Sequence, residues 1–252
     1  MSRQTSEEVS AIISSTPYLR ERLHPEAGDY FYLHLSDLLL AMRRFATNDP
    51  LRILDFGCGG SPYRSLFPRA RYERADVAGT PEVDYVISEN GYELPVADRT
   101  YDLVLSSQVL EHVASPQDYL SEARRLLCQG GRLLLTTHGI FEDHGCPFDF
   151  RRWTDSGLRL ELETVGFEVS QILKMTTGPR AAMFLMQQHQ GHPSRRLHLG
   201  FLLWLLNRMM TYRRASFDRQ CDEAFGSNRV VTEDLEQHRI YIALLAIAER
   251  VN

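Results

Sequence analysis

The chain has 252 residues, 43% of them hydrophobic and 24% charged, a composition that suits one large globular domain with additions or two small ones. Its formal net charge of −5 argues against a basic nucleic-acid-binding surface, so no nucleic-acid partner is expected. The four cysteines, Cys58, Cys128, Cys146 and Cys221, form no Cys-x-x-Cys pair and are too scattered for a disulfide framework, so a reduced, cytoplasmic setting is expected.

The opening stretch MSRQTSEEVSAIISS shows no export pattern, and no run approaches the ~18 uninterrupted apolar residues of a membrane-spanning helix. Residues 1–47 read as helical, with Tyr30, Phe31, Leu33, Leu35, Leu38, Leu39 and Met42 forming an apolar stripe, and Asn48-Asp49-Pro50 ends them. Short strand-like stretches follow at Ile53–Phe56, Tyr72–Val77, Val83–Ile87 and Leu103–Leu105. A helix from Ser115 to Cys128 is expected to stop at Gly130-Gly131, with a strand at Arg132–Thr137 behind it. Thr154–Val165 reads as a helix stopped by Gly166, and Phe167–Leu173 as a strand. Continuous apolar strands alternating with helices point to an α/β sheet covered on both faces. Residues 178–235 break the alternation and read as an insertion, after which Ile240–Ala248 is apolar enough for a final strand inside the sheet. The expected organisation is an N-terminal helical extension (1–50), a core (51–177), a helical insertion or cap (178–236) and the last core strand (237–252).

In Ile53-Leu54-Asp55-Phe56-Gly57-Cys58-Gly59-Gly60-Ser61 a buried strand runs into a glycine-rich turn, where bare backbone lets a ligand approach closely. About 20 residues on, Asp76 ends the second strand, where a carboxylate can accept both hydroxyls of a ribose. A dinucleotide site wants a third glycine at the position held by Pro62, so an NAD(P)-dependent oxidoreductase is the weaker alternative.

Four blocks, LDFGCGGSPY (54–63), ELPVADRTYDLVLSSQVLEHV (93–113), EARRLLCQGGRLLLTT (122–137) and GLRLELETVGF (157–167), together resemble class I S-adenosylmethionine-dependent methyltransferases of the type-11 small-molecule group. The resemblance covers about residues 51–175 and the last strand. It implies a Rossmann-like seven-stranded sheet with helices on both faces, its last strand antiparallel, and S-adenosylmethionine bound at the C-terminal strand ends. By position it assigns Asp55, Gly57 and Gly59 to the amino-acid moiety and Asp76 to the ribose. It places Asn90 at the adenine amino group, Val77 and Gly91 beside the ring, and Ser107 and Gln108 on the methionine side. Ser61 departs from the family's Gly-x-Gly-x-Gly loop by adding a hydroxyl at the third glycine.

Methyl transfer to a hydroxyl needs a base for the departing proton, and histidine suits that task. His112, His138 and His144 all follow sheet strands, and His112 and His144 are the candidate catalytic residues. The block from His144 to Thr154 resembles a stretch in surface-polysaccharide and other small-molecule methyltransferases, implying a small-molecule or glycan-like acceptor. It reads either as a lid and substrate wall or as packing by Phe148, Phe150 and Trp153 with Arg151 pairing Asp149. Ubiquinone-type O-methyltransferases place Glu-x-x-Glu-His where this chain has Gln108 and Glu111-His112; with one hard ligand gone, no metal is expected. The apolar run 195–214, flanked by Arg195, Arg196, Arg213 and Arg214, is expected to cover the acceptor pocket with Phe201 and Trp204 buried; a homodimer face and membrane-surface contact are the alternatives. The functional expectation is O-methylation by an enzyme, with a non-catalytic protein of methyltransferase fold as the rival.

Overall fold

The computed structural model describes residues 16–88, 91–145, 148–188, 204–205, 208–209, 211–232 and 238–251. In chain order its elements begin with α1 (Thr16–Leu23), α2 (Tyr32–Arg43), β1 (Arg52–Phe56), β2 (Arg71–Val77), β3 (Tyr85–Ile87) and β4 (Tyr101–Ser107). They continue with α3 (Pro116–Leu126), β5 (Leu127–His138), α4 (Asp155–Thr164) and β6 (Phe167–Thr177). The last are α5 (Gly178–Gln188), α6 (Arg214–Ala224), β7 (Val230–Val231) and β8 (Tyr241–Arg250).

The strands form one sheet in the order β3-β2-β1-β4-β5-β8-β6-β7. β1 pairs in parallel with both β2 and β4, so the strand order reverses at β1. That reversal opens a crevice at the C-terminal strand ends, the usual ligand position in such sheets. β8 runs antiparallel between β5 and β6, and its continuous apolar sequence suits a strand buried on both faces. The seven expected strands are joined by an eighth, the two-residue β7 at the β6 edge.

Neighbouring residues along each strand enter opposite layers. Leu54, Phe56, Val104, Leu133 and Leu135 pack with Tyr119, Leu120, Leu158 and Leu162 of α3 and α4. Ile53, Leu103, Leu105 and Leu134 pack with Leu35, Leu38, Leu39 and Met42 of α2. α4 starts where Thr154 Oγ1 accepts the Gly157 N–H at 3.0 Å, and Gly166 ends it at φ +87°.

Several boundaries differ from expectation for identifiable reasons. The N-terminal helix is broken between α1 and α2 at Pro25 and Gly28, whose φ is +111° and whose N–H donates to Asp218 at 2.8 Å; residues 1–15 lie outside the described residues. α3 stops at Leu126 and the chain is extended at once, so Gly130-Gly131 does not end a helix. These glycines sit in a bulge, because Tyr101 pairs with Leu127 while Leu103 pairs with Arg132.

The expected insertion begins as α5, directly out of β6, and buried charge ties it to the extension. Asp37 of α2 and Arg180 of α5 are fully buried and joined by bonds of 2.7 and 2.9 Å. Asp37 also accepts from Arg229 at 2.7 Å and Thr176 at 2.9 Å, and Arg180 reaches Asp222 of α6 at 2.9 Å. Removing one partner of such a pair strands a buried charge. Asp37→Ala is therefore expected to lower unfolding free energy in urea by about 3–5 kcal/mol; a loss below about 1 kcal/mol would contradict this role.

Of the expectation that residues 195–214 cover the acceptor pocket with Phe201 and Trp204 buried, the burial of Trp204 is corrected. Trp204 is 44% exposed, Leu205 41%, Met209 55% and Tyr212 90%, so none of them is buried in the core. Phe201, Arg195 and Arg196 lie outside the described residues. Among the described residues no helix is long and apolar enough to cross a membrane.

Candidate active site

The glycine turn leaves β1 beside the strand-order reversal. Gly57 has φ +76°, and a Cβ there would stand 2.6 Å from Val109 Cγ1. The glycine is thus required by the close passage of the loop after β4, in addition to any need for a ligand to approach. Gly59 (φ +49°) donates its N–H to Asp76 Oδ2 at 2.5 Å, while Val77 N–H donates to Asp76 Oδ1 at 2.7 Å. These bonds orient the carboxylate at the C-terminal end of β2 and leave lone pairs for further donors. Val77 is 45% exposed beside it, and a Cβ on Gly91 would meet open space. Asn90 lies outside the described residues. Asp55 is placed differently, beneath the loop at 3% exposure, where its carboxylate accepts the Tyr72 hydroxyl at 2.7 Å. Burial pushes its pKa up to about 7.

Arg74, which the motifs do not mark, holds this loop. Its guanidinium donates to Gly59 O at 2.9 Å, to Ser61 Oγ at 2.8 Å and to Glu82 O at 2.8 Å. Ser61 occupies φ +50°, the conformation a glycine would take freely, and its hydroxyl is used as an acceptor for Arg74. The departure from the glycine pattern therefore has a partner on β2. An arginine two residues before the strand-terminal acid is the signal that could have found it.

On the far side of the crevice, Ser107 ends β4 and its hydroxyl lies 3.2 Å from Thr136 Oγ1. Gln108 follows at φ +57° and donates its N–H to Thr136 O at 3.0 Å. Beyond them the chain gathers four histidines. Rings of His112 and His144 meet edge to face at 4.9 Å, those of His138 and His144 at 5.2 Å, and His34 of α2 lies 5.5 Å from His138. The two candidate catalytic histidines are thus brought together, and His34 joins them from a position not singled out in the sequence.

The partners of these rings set their tautomers. His112 Nδ1 lies 2.6 Å from Phe148 O, and a carbonyl can only accept, so Nδ1 carries the proton and Nε2 presents a lone pair. His144 Nδ1 stands 3.2 Å from Glu142 O and 3.3 Å from Asp149 Oδ2, which gives the same assignment. Asp149 is held by Arg152 through bonds of 2.5 and 2.6 Å, not by Arg151, which instead donates to Val113 O at 2.8 Å. Arg152 wins because, three residues on, its fork meets both carboxylate oxygens. Trp153 is buried, but Phe148 and Phe150 stack on each other half-exposed, so packing alone does not describe this block.

Deeper in, His138 Nε2 is 3.2 Å from Glu111 Oε1, and Thr137 donates to Glu111 Oε2 at 2.8 Å. Burial raises the Glu111 pKa and lowers that of His138, both shifts favouring the uncharged forms. Ligand-capable atoms of Glu111, His138 and His144 fall within 4.8 Å of one another. An ion at about 2.1 Å from each ligand spans at most about 4.2 Å, a separation close to that bound.

Burial, with Arg22 nearby, lowers the His34 pKa to about 3. The unfolded chain takes up this proton near pH 6.5 and the folded chain does not, so His34 contributes less stability as pH falls below that value. Asp55 and Glu111 act with the opposite sign but are common to wild type and variant. Relative to wild type, His34→Phe is expected to gain about 1.4 kcal/mol between about pH 7.5 and about pH 5.5 in urea titrations. A pH-independent difference would contradict the buried neutral ring.

Comparison with known proteins places these features together. Residues 54–135 match the Methyltransferase domain family of type 11. A protein of Mycolicibacterium smegmatis, described as a probable S-adenosylmethionine-dependent methyltransferase, is 31% identical over 189 residues, covering 67% of this chain and 72% of that one. The Ubiquinone biosynthesis O-methyltransferase of Roseobacter denitrificans is 36% identical over 115 residues, 38% of this chain and 45% of that enzyme. The structure of Haemonchus contortus phosphoethanolamine N-methyltransferase 2 in complex with S-adenosyl-L-methionine superposes with a TM-score of 0.54 at 15% identity, covering 98% of this chain and 58% of that one. That last likeness is one of fold alone.

Proposed function

The chain belongs to the class I S-adenosylmethionine-dependent methyltransferases of the type-11 group, and from that premise we propose that it methylates a hydroxyl oxygen of a small-molecule or glycan-like acceptor. S-adenosylmethionine, when bound, supplies an electrophilic methyl group whose departure leaves a neutral thioether. The residues at the strand ends fit it. The glycine turn is open backbone, Asp76 is held ready for ribose hydroxyls, and exposed Val77 with unobstructed Gly91 offers a surface for the adenine. Ser107 and Gln108 flank the methionine side, and Asp55 supports the loop from beneath.

The observation that carries the oxygen assignment is the tautomer of His112. Its Nδ1 is fixed on Phe148 O, which frees Nε2 to accept, and its ring meets that of His144 edge to face. An acceptor hydroxyl placed there loses its proton to His112 Nε2 as its oxygen takes the methyl group. His144, oriented by Asp149, holds the acceptor from the adjoining side. The stacked Phe148 and Phe150 offer an apolar ledge on which a sugar or aromatic ring can lie. The ubiquinone relative, an O-methyltransferase by its description, supports oxygen as the methylated atom.

Supplying methyl-labelled S-adenosylmethionine with paired hydroxyl and amine acceptors tests this reading. Label is expected on oxygen, and turnover should survive EDTA. Transfer to nitrogen only, or to no acceptor despite cofactor binding, would overturn it, the second outcome in favour of a non-catalytic role. Activity lost to EDTA and restored by Zn²⁺ would assign Glu111, His138 and His144 to a metal.

A further inference from the structure

Glu111 and His138 carry donor atoms that methyl transfer leaves unused. Glu111 Oε2 accepts the Thr137 hydroxyl at 2.8 Å, but the buried Oε1 has no hydrogen-bond partner among the described residues. His138 Nε2 stands 3.2 Å from that oxygen without being aligned to donate to it. A carboxylate oxygen left so in the core is costly unless a positive group meets it. Two ligands of one tetrahedral ion, each about 2.1 Å from it, lie about 3.4 Å apart, near the separation found here.

His144 supplies a third donor. Its Nδ1 faces Glu142 O at 3.2 Å and Asp149 Oδ2 at 3.3 Å, which leaves Nε2 free. Asp149 is fixed in turn by Arg152. A carboxylate behind the remote ring nitrogen is the usual support of a metal-bound imidazole, setting its tautomer and raising its basicity. His138 is oriented by stacking on Phe141 at 4.0 Å. The three donor atoms lie within 4.8 Å of one another, so gathering them on one ion needs a closure of at most about 0.6 Å. The His144 side chain is 33% exposed against 0% for Glu111 and 5% for His138. The ligand that can move is therefore the one that meets solvent, which also gives an ion its way in.

We propose that Glu111, His138 and His144 form a Zn²⁺ site whose fourth position is left to water. Two imidazoles and one carboxylate make a zinc donor set, whereas Mg²⁺ and Ca²⁺ call for six or more ligands, chiefly oxygen. The set is not that of the Glu-x-x-Glu-His motif, because Gln108 is no carboxylate and His112 turns its Nδ1 to Phe148 O. The end of β5 and the loop behind it supply the replacements. The site does not depend on which atom is methylated. One consequence does rest on the proposed O-methylation: the ion takes the His144 Nε2 that otherwise holds the acceptor, so ion and acceptor exclude each other and chelation leaves transfer intact.

The test titrates the full chain, first stripped with EDTA, with Zn²⁺ in a calorimeter and with Mg²⁺ as the control. Saturable binding of a single Zn²⁺ is expected, with none of Mg²⁺. Loss of an outer-shell partner typically costs about 10–100-fold in metal affinity, the weakening expected of Asp149→Asn. Glu111→Gln and His138→Phe each delete a ligand, so each is expected to weaken Zn²⁺ binding at least about 100-fold. Glutamine still accepts from Thr137 and phenylalanine still stacks on Phe141, so both variants should melt as cooperatively as wild type in EDTA. No saturable Zn²⁺ binding, equal affinity for Mg²⁺, or unchanged Zn²⁺ affinity in both ligand variants would overturn the proposal.

Discussion

Alanine in place of His112 is expected to lower methyl transfer about 10²–10⁴-fold while leaving S-adenosylhomocysteine affinity within about a factor of two. The size of the effect follows from the task. A hydroxyl proton must leave as its oxygen attacks, and His112 offers the Nε2 lone pair because Nδ1 is engaged by Phe148 O at 2.6 Å. The side chain is partly exposed and packs against His144 rather than in the sheet core, so its loss should spare the fold. His144→Ala separates base from holder: a raised KM with a smaller loss of kcat is expected, since Asp149, itself held by Arg152, fixes the His144 ring without engaging His112. Unchanged kcat in the His112 variant would show that the acceptor is already nucleophilic, or that positioning alone suffices.

Asp76→Ala is expected to weaken S-adenosylhomocysteine binding about 10–150-fold for each ribose hydrogen bond lost, the range that bonds to a charged group span. Part of the loss comes through the loop, because Asp76 also accepts from Gly59 and Val77. Asp76→Asn keeps one acceptor oxygen and should fall between the two. Gly57→Val goes further: its Cβ would stand 2.6 Å from Val109 Cγ1 at a φ of +76°, so the turn cannot keep its shape and binding should vanish. Calorimetry with unchanged affinity in Asp76→Ala would remove the ribose assignment. Retained binding in Gly57→Val would mean that the loop follows another path.

Much of this architecture is legible in local sequence. β1 with its glycine turn, the acid ending β2, the apolar runs of β4, β5 and β8 and the Gly166 stop each rest on nearest-neighbour chemistry, and the structure has each of them. What was not legible depends on distant partners. Gly130-Gly131 has the chemistry of a helix stop and equally that of a bulge, and pairing with Tyr101 and Leu103 decides between them. Arg180 and Asp37 meet across 143 positions of sequence, so no local pattern shows that α5 is fastened to α2. The same holds for His34, which meets His138 from the N-terminal extension. Arg74 looks like any strand arginine until the loop folds over it. Apolar content between residues 195 and 214 suggested burial, yet hydrophobicity alone does not say which phase a face meets, and the described side chains there meet solvent.

The most direct test of the account is a crystal structure with S-adenosylhomocysteine and a hydroxyl-bearing acceptor bound together. The account predicts the ribose on Asp76, and the acceptor hydroxyl within hydrogen-bond reach of His112 Nε2, with its oxygen aligned on the sulfur across the gap a methyl group would fill. A cofactor whose sulfur faces away from His112 and His144, or an acceptor seated elsewhere on the sheet, would contradict it.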